Sequence, residues 1–270
     1  MNLHEYIHSP LDIAEQLSVI FKGQKVNTVF DIGSCEGEDA IRYGRFFKGA
    51  MVYAFEPRPD NLDIIRKNLR LFKAEDFVKV EGIALSDEKG SFDFYLSSGQ
   101  PEIATEGWDY GNKSSSLLPP SQSMEEHTAW LKFNEKIIIP TDRMDQFCRE
   151  RSITNVDFMH IDVQGAELKV LQGAGDLLQK TRAIWMEVEA VELYKGQPLK
   201  SDVEQFMKTR NFQCVLDTVN AVAGDQLYVN NALVNPSVIR KLLALQRRRK
   251  RDAELRRVYN GIMRRLRMRK

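Results

Sequence analysis

Cysteine and long apolar runs are both scarce in this sequence. Its 270 residues include three cysteines, Cys35, Cys148 and Cys214, with no C-x-x-C pair and no paired Cys/His spacing. This pattern argues against a structural zinc site and against a secreted disulfide framework. No apolar run approaches the roughly 20 residues that a membrane-spanning helix needs, and the N-terminus lacks the apolar segment of a signal peptide. We therefore expect a cytoplasmic protein.

A surplus of charge of one sign is absent from the chain as a whole but present in its parts. The net charge is +1. Residues 240–270 hold 14 Lys/Arg and 2 Asp/Glu, so this segment carries +12 and the rest of the chain carries −11. Hydrophobic residues make up 43% of the chain, enough for one large domain or two small ones to bury a core. The acidic body and the basic tail need separate explanations.

Short apolar runs alternate with helical stretches from residue 26 onward, after an amphipathic helix at 11–22. Such alternation is typical of an open, mostly parallel sheet with helices on both faces. The last two strands have no helix between them, which predicts that they pair antiparallel. The predicted strands are 26–31, 51–55, 77–85, 156–162, 183–188, 212–216 and 226–229, and the predicted helices are 37–47, 60–73, 166–180 and 201–210.

One long segment interrupts this alternation. Strands with a period of two residues are predicted at 91–96 and 135–139. Residues 97–134 between them are rich in Ser, Gly and Pro and include Trp108, Tyr110 and Trp130. A connection of this length is usually functional or disordered, and disordered segments are poor in aromatic residues. We therefore favour a lid or substrate loop; the alternative is an ordered insertion without a site.

A glycine-bearing turn follows the first predicted strand, in the segment VFDIGSCEG (29–37). Asp31 lies near the end of the strand, Gly33 permits close approach of the backbone to a ligand, and Gly37 lies early in the helix. The next strand ends in Glu56, 23 residues after Gly33. In a doubly wound sheet such an acid lies beside the turn and can accept hydrogen bonds from ribose hydroxyls. This spacing fits nicotinamide and adenosyl cofactors alike.

These motifs resemble those of the FkbM family of S-adenosylmethionine-dependent methyltransferases, over about residues 26–230. The most specific motif is IDVQGAE (161–167), which usually reads I-D-V-E-G-x-E in that family. The resemblance implies a Rossmann-like enzyme that methylates mainly hydroxyl groups, often of sugars or natural products. The other motifs are DIGSCEG (31–37), AFEP (54–57), GIALSD (82–87), SSSLL (114–118) and TDRMDQF (141–147).

The resemblance also implies a set of residues that bind S-adenosylmethionine. Glu56 would bind the ribose and Ala84 would lie near the adenine. The alternative for Glu56 is a solvated acid at a strand end, and the alternative for the glycines is an ordinary strand–helix turn. Carried over by position, the cofactor-binding residues are Asp31, Gly33, Gly37, Glu56 and Ala84.

Two positions depart from the family pattern. Gln164 stands where the family usually has Glu, and Cys35 lies within the cofactor turn. The first departure removes one negative charge beside the expected reaction site. Neither departure needs to abolish activity.

Acids lie at the carboxyl ends of two predicted strands that we expect to be neighbours. Asp162 ends the strand 156–162, and Glu189 follows the next strand. Ligands of such sheets bind at this edge. Methyl transfer requires an acceptor oxygen held in line with the methyl group and a group that accepts its proton. We select Asp162 and Glu189 as catalytic residues, with His160 as a third candidate.

Each of these residues has a second interpretation. Clustered carboxylates raise one another's pKa, which suits a general base, or they bind a divalent cation, although no ligand spacing supports a metal here. Asp162 could cap the following helix, and Glu167 could complement its dipole. His160 could be a buried core histidine. We favour Glu189 over Glu187, which could be salt-bridged.

Residues 236–270 are predicted to form an amphipathic, arginine-rich helix or pair of helices. Asn235-Pro236 is a typical helix start, and apolar stripes lie on either side of RRRKR (247–251). Three kinds of partner fit: an anionic membrane surface or membrane-bound complex, another protein chain such as a second copy, and nucleic acid. We favour the membrane surface, at its inner face, and rank nucleic acid last.

The sequence therefore predicts an α/β, Rossmann-like class I methyltransferase with a doubly wound, mostly parallel sheet and an antiparallel last strand. We divide the chain into an N-terminal helical segment (1–25), a methyltransferase domain (26–234) and a basic helical tail (235–270). The predicted function is S-adenosylmethionine-dependent O-methylation of a sugar, glycan or glycoconjugate. One alternative is a nucleic-acid methyltransferase, although no N-P-P-Y or D-P-P-Y sequence is present. The other alternative is a non-catalytic scaffold.

Overall fold

The structure, a computed structural model, describes residues 2–101 and 111–267, with the backbone alone for residues 253 and 256–267. Its strands are β1 (Thr28–Ile32), β2 (Met51–Phe55), β3 (Val78–Glu81), β4 (Ala84–Ser86), β5 (Gly90–Ser98), β6 (Lys132–Arg143), β7 (Phe158–Ile161), β8 (Ala183–Glu189), β9 (Phe212–Asp217) and β10 (Ala223–Asn230). Its helices are α1 (Leu3–His8), α2 (Ala14–Ile20), α3 (Glu38–Phe46), α4 (Pro59–Leu71), α5 (Gln122–His127), α6 (Met144–Glu150), α7 (Glu167–Gly173), α8 (Lys200–Thr209) and α9 (Pro236–Arg267). Short 3-10 helices span Gly111–Ser114 and Gly175–Lys180.

Seven strands form one sheet in the order β3-β2-β1-β7-β8-β10-β9. The pairs β3-β2, β2-β1, β1-β7 and β7-β8 are parallel, whereas β10 is antiparallel to both β8 and β9. The predicted mostly parallel sheet with an antiparallel last strand is thus confirmed. The strand order reverses between β1 and β7, and ligands of open α/β sheets bind in the crevice above such a point.

Helices cover both faces of this sheet, because successive residues of each strand point to opposite faces. On β1, Val29 packs with residues of α1–α4 and α9, whereas Phe30 packs with residues of α6–α8. On β7, Phe158 belongs to the same core as Val29, and Met159 belongs to the same core as Phe30. Burial on both faces explains why these strands are continuous apolar runs in the sequence.

The prediction of one strand at 77–85 is wrong, because the chain divides at Gly82. The first part, β3, joins the large sheet beside β2. The second part, β4, pairs in parallel with β6 in a separate three-stranded sheet of order β4-β6-β5. The strands predicted at 91–96 and 135–139 form the antiparallel pair β5 and β6 of this small sheet.

The N-terminal segment contains two short helices, whereas the sequence predicted one. Asn2 caps α1, because its side chain accepts a hydrogen bond from the Glu5 N–H at 2.9 Å. Ile7 of α1 and Leu17 of α2 are buried in the same core as α3. The segment that joins the two helices therefore lies against the body of the protein, close to the sheet.

Helix α9 begins at Pro236 and lies along the outer edge of β9. Neither α9 nor any other helix of the described residues is both long and apolar enough to cross a membrane. Leu242 is fully buried in the core beneath the sheet. The side-chain amide of Gln246, in the orientation that satisfies both partners, donates to the Val215 carbonyl and accepts from the Asp217 N–H, both at 3.2 Å. The first part of the tail is therefore packed onto the body.

Candidate active site

Glycines shape the turn between β1 and α3, where it touches the end of β7. Gly33 has a φ of +87°, and a Cβ added to it would lie 1.8 Å from the backbone oxygen of Asp162. Gly37 has a φ of +77°, and a Cβ there would lie 3.0 Å from Ile65. A left-handed backbone without room for a side chain restricts Gly33 to glycine. The predicted turn therefore lies directly against Asp162.

Glu56 follows β2 and lies beside this turn. Its carboxylate accepts hydrogen bonds from the backbone N–H groups of Cys35 at 2.9 Å and Arg58 at 2.8 Å. Cys35 has a φ of +47°, an uncommon conformation for a residue other than glycine. Burial raises the pKa of Glu56 to about 7, although the hydrogen bonds from Arg58 and Cys35 oppose this shift. Each carboxylate oxygen keeps a second lone pair for a ligand hydroxyl.

A cavity lies over this turn, and we call it the turn pocket. Three of the predicted cofactor residues line it: Gly33, Glu56 and Ala84. Asp162 lines it as well. The small sheet contributes one side of the pocket, because Ala84 belongs to β4. Further lining residues are Asn61, Asn112, Lys113, Ser115, Leu117 and Gln164.

Two residues from the predicted long loop close the turn pocket. The side-chain amide of Asn112 donates to Glu36 at 3.2 Å and to Asn61 at 3.0 Å. Lys113 forms an ion pair with Glu38 at 2.5 Å. Asn112 is 6% exposed, and its side-chain oxygen has no hydrogen-bond partner within the residues that the structure describes. Neither residue was among those predicted from the sequence.

The SSSLL motif (114–118) connects this loop to the IDVQGAE motif (161–167). Ser115 lines the turn pocket, and the Ser116 hydroxyl donates to the backbone carbonyl of Gln164 at 2.7 Å. This motif was the signal in the sequence that could have located the neighbouring residues of the pocket. The lid prediction was based on three aromatic residues: Trp108 and Tyr110 lie outside the described residues, and Trp130 packs against a small buried cluster that includes Tyr194. The role of the long loop as a lid therefore stays a prediction.

Gln164 links two of the carboxylates at the strand ends. Its Nε2 donates to Asp162 Oδ1 and to Glu187 Oε2, both at 2.6 Å, and its Oε1 accepts from the Tyr194 hydroxyl at 2.8 Å. An amide nitrogen has two N–H donors, so one Gln can hold two carboxylates together. Glu187 forms no salt bridge within the described residues, contrary to one of our interpretations. No motif or spacing in the sequence pointed to Tyr194.

Glu167 and Glu189 are buried beside this pair. Glu167 accepts hydrogen bonds from the backbone N–H groups of Val163 at 3.1 Å and Gly165 at 3.2 Å, so it holds the turn that precedes α7. Burial raises the pKa of Glu167, and the charge of Glu189 raises it further. Burial and the charge of Asp162 raise the pKa of Glu189 to about 7. Glu189 is 2% exposed, so Asp162 is the better placed of the two to touch a ligand.

A second cavity, which we call the His160 cavity, lies between the N-terminal segment and the sheet. Asp162 lines both this cavity and the turn pocket. The other charged and aromatic side chains around it are Tyr6, Asp12, Asp39, Arg42, Tyr43, His160, Trp185 and Asp225. The two cavities therefore share Asp162 as a lining residue.

His160 lies within this cavity and is bonded to Asp31. Its Nδ1 lies 2.6 Å from Asp31 Oδ1, and Asp31 Oδ2 accepts from the Ser34 hydroxyl at 2.6 Å. Burial opposes the charged imidazole, but the hydrogen bond and charge of Asp31 raise the pKa of His160 to about 9. A protonated imidazole accepts no proton, so this pairing favours a charged partner of Asp31, and a catalytic role for His160 stays a prediction.

Replacing His160 should change how stability depends on pH. The pKa of His160 rises from 6.5 to about 9 on folding, so its contribution is complete below pH 6.5 and is lost as the pH rises through 9. That contribution is about 3 kcal/mol. We expect His160→Asn to be less stable than the parent below pH 6.5, and the difference to shrink towards pH 9 in thermal unfolding. The exposed His127→Asn is the control; a difference independent of pH would contradict the charge pairing.

The carboxylate cluster has no arrangement typical of a metal centre. Within residues 2–101 and 111–267, no three His, Cys, Asp or Glu side chains are grouped so that they could hold a metal ion. Between Asp162 and Glu187, the amide of Gln164 occupies the position where a cation would bridge two carboxylates.

The strand order, the antiparallel β10, the glycine turn after β1 and the acid after β2 define a Rossmann-like methyltransferase of class I. The methyltransferase FkbM domain matches residues 31–214. The chain belongs to this family, and the resemblance that the motifs indicated is confirmed. It is therefore a methyltransferase.

Two relatives illustrate the range of this similarity. The 2-O-methyltransferase NoeI of Sinorhizobium fredii (strain NBRC 101917 / NGR234) is 32% identical over 206 residues, which cover 76% of this chain and 80% of the relative. Methyltransferase sdnD of Sordaria araneosa is 23% identical over 199 residues, which cover 70% of this chain and 74% of the relative.

Solved structures resemble the chain more distantly. The crystal structure of methyltransferase FkbM from Methylobacillus flagellatus KT is 15% identical with a TM-score of 0.45, and the match covers 76% of this chain and 44% of that one. The N-terminal domain of EvdMO1 with SAH bound is 10% identical with a TM-score of 0.44, and the match covers 83% of this chain and 81% of that one.

Proposed function

We propose that this protein transfers a methyl group from S-adenosylmethionine to a hydroxyl of a sugar unit in a glycan or glycoconjugate. The observation that carries this proposal is the position of Asp162 between two cavities. Transfer between two bound molecules requires that their reacting groups meet, and a carboxylate at that point can accept the proton of a hydroxyl. The similarity to a 2-O-methyltransferase supports oxygen as the methylated atom.

The turn pocket has the groups that an adenosyl cofactor needs. Glu56 offers buried carboxylate oxygens for ribose hydroxyls, and the Asn112 side-chain oxygen is a buried acceptor without a partner in the described residues. Gly33, which has no Cβ, lets the turn beside Glu56 pack directly against the Asp162 backbone. When bound, the cofactor supplies an electrophilic methyl group on a sulfonium.

The residues of the chain supply position and proton acceptance. Gln164 holds the Asp162 carboxylate by one hydrogen bond, and Tyr194 in turn holds the Gln164 amide. Fixed in this way, Asp162 can orient the hydroxyl of an acceptor in the His160 cavity and take its proton. The carboxylates and aromatic rings that surround that cavity suit a ligand rich in hydroxyl groups, since carboxylates accept hydrogen bonds only.

Incubation with methyl-labelled S-adenosylmethionine and a panel of oligosaccharides tests the proposal. We expect the label on a sugar oxygen, located by mass spectrometry. Label on the bases of added DNA or RNA would support the nucleic-acid alternative. A calorimetric titration in which S-adenosylmethionine does not bind would contradict the proposed cofactor and favour a scaffold.

Glu56→Gln should weaken the binding of S-adenosylmethionine. Loss of a charged acceptor costs about 1–3 kcal/mol, which corresponds to an increase in Kd of about 5- to 150-fold. Calorimetry measures this change directly. The matched control is Glu81→Gln, because Glu81 ends the adjacent strand β3 and its carboxylate pairs with Arg151 at 3.0 Å. An unchanged Kd in Glu56→Gln, or an equal loss in the control, would contradict the assignment of the ribose site.

A further inference from the structure

A groove extends from the His160 cavity to helix α9. Four residues line both spaces: Asp12, Ile13, Trp185 and Asp225. At its far end, Gln246, Arg249 and Lys250 of α9 line the groove. We call this space the tail groove. Because Asp162 lines both the His160 cavity and the turn pocket, neighbouring spaces of this series share lining residues from the turn pocket to helix α9.

The far side of the tail groove is held in place by the body of the protein. Leu242 is fully buried in the core. One helical turn later, Gln246 bonds to the backbone of β9 through its side chain. Arg249 and Lys250 follow within the next turn of the same helix. Their backbone is thus positioned by two contacts that precede them.

The tail groove is lined by acids at both ends, and its two lining cations, Arg249 and Lys250, lie at the end formed by α9. Asp12 and Asp225 lie at the end that is shared with the His160 cavity. At the far end, Asp217 pairs with Lys200 at 2.8 Å, and Asp252 pairs with Arg248 at 3.8 Å. Both carboxylates that line this end of the groove therefore already have a cationic partner.

Arg249 and Lys250 line the far end of the groove and take part in neither of these two ion pairs. Both are exposed, and neither lies within salt-bridge distance of a carboxylate in the part of the chain that the structure describes, although Lys250 also acts electrostatically on Asp217. Two adjacent exposed cations that form no salt bridge attract an anionic group, and Arg is especially suited to carboxylate and phosphate.

We propose that the acceptor is an extended, hydroxyl-rich molecule with an anionic group remote from the methylated hydroxyl, and that Arg249 and Lys250 bind this anionic group. This inference rests on the proposed function, because it assumes that the reacting hydroxyl lies at Asp162. The anionic group is a carboxylate, as in a uronic acid, or a phosphate. The basic tail then has a direct part in substrate binding through its first four turns.

Calorimetry with three tetrasaccharides tests this proposal on the full-length protein saturated with S-adenosylhomocysteine. The probes are tetragalacturonic acid, its carboxyl-reduced neutral form and that neutral form phosphorylated at its reducing end. We expect at least one anionic probe to bind more tightly than the neutral one, by about tenfold to a hundredfold. The difference should disappear in R249A/K250A. The two anionic probes distinguish carboxylate from phosphate.

The matched control is R240A/K241A, which removes the same charge from exposed positions of the same helix. This control should retain the preference for the anionic probe. Equal binding of all three probes, no binding of either anionic probe, or an equal loss in both double variants would overturn the proposal. If R249A/K250A abolishes binding to phosphatidylcholine vesicles containing phosphatidylglycerol but leaves oligosaccharide binding unchanged, the tail binds membranes instead.

The failure of this proposal can be told apart from failure of the proposed function. Probe binding is measured without methyl transfer, so an anionic preference that depends on Arg249 and Lys250 stands even if no methyl transfer to sugars is found. Conversely, methyl transfer to neutral sugars that is unchanged in R249A/K250A would leave the proposed function intact and remove the anionic subsite.

Discussion

Asp162→Asn should lower the turnover number for methyl transfer by about 10²–10⁴-fold, the usual contribution of a general base. The variant keeps the size of the side chain and an oxygen that can accept the hydrogen bond from Gln164. Its backbone carbonyl still lies against Gly33. The Kd for S-adenosylmethionine should therefore stay close to that of the parent. Single-turnover kinetics with the acceptor identified from the oligosaccharide panel would measure the chemical step.

Parallel variants decide between Asp162 and its neighbours. Glu189→Gln and Glu187→Gln should reduce the rate less than Asp162→Asn, because Glu189 is buried and Glu187 is held by Gln164. Asp93→Asn, at an exposed position of β5 where the carboxylate pairs with Lys136, is the control. Full activity in Asp162→Asn together with a hundredfold loss in Glu189→Gln would transfer the role of base to Glu189.

Gly33→Ala should strongly destabilise the protein and abolish measurable cofactor binding. A residue other than glycine in the left-handed backbone conformation loses about 1–2 kcal/mol of folding free energy. Extra atoms in a packed interior typically cost about 1–3 kcal/mol more. The second cost applies here because the new Cβ would lie 1.8 Å from the Asp162 carbonyl oxygen. We expect a loss of roughly 2–5 kcal/mol in the free energy of unfolding, measured by urea denaturation.

Gly49→Ala separates the two costs. Gly49 has a φ of +88°, almost the same as Gly33, but a Cβ there meets no atom within 4 Å. This control should lose about 1–2 kcal/mol and bind the cofactor normally. If both variants lose the same stability, backbone strain alone explains the requirement for glycine, and the contact with Asp162 is unimportant.

The periodicity of the sequence was sufficient to predict the large sheet, because its strands are buried on both faces and separated by helices. It was insufficient at 77–85, where the apolar pattern continues across Gly82 although the chain leaves one sheet for another. The partner of β4 is β6, more than 50 residues later. A local pattern contains no information about such a distant partner.

The same reasoning explains which parts of the site could be predicted. Gly33, Glu56 and Asp162 follow strands whose order is fixed by the fold, so their meeting at one edge could be inferred. Asn112 reaches the site from a short 3-10 helix and Tyr194 from a loop, and no spacing rule connects these segments to the strands. The resemblance to the family identified Gln164 as a departure, but the structure was needed to show that its amide holds Asp162 and Glu187.

The contact between helix α9 and β9 has a consequence for handling the protein. β9 is the last strand of the large sheet, and Gln246 satisfies backbone groups of Val215 and Asp217 on its outer side. An uncovered outer strand is a template for pairing with another chain and hence for aggregation. A chain cut after Asn235 would lose this cover together with Leu242, so low solubility of such a fragment would reveal an exposed strand. A cut after Lys250 would remove many of the arginines while the strand stays protected.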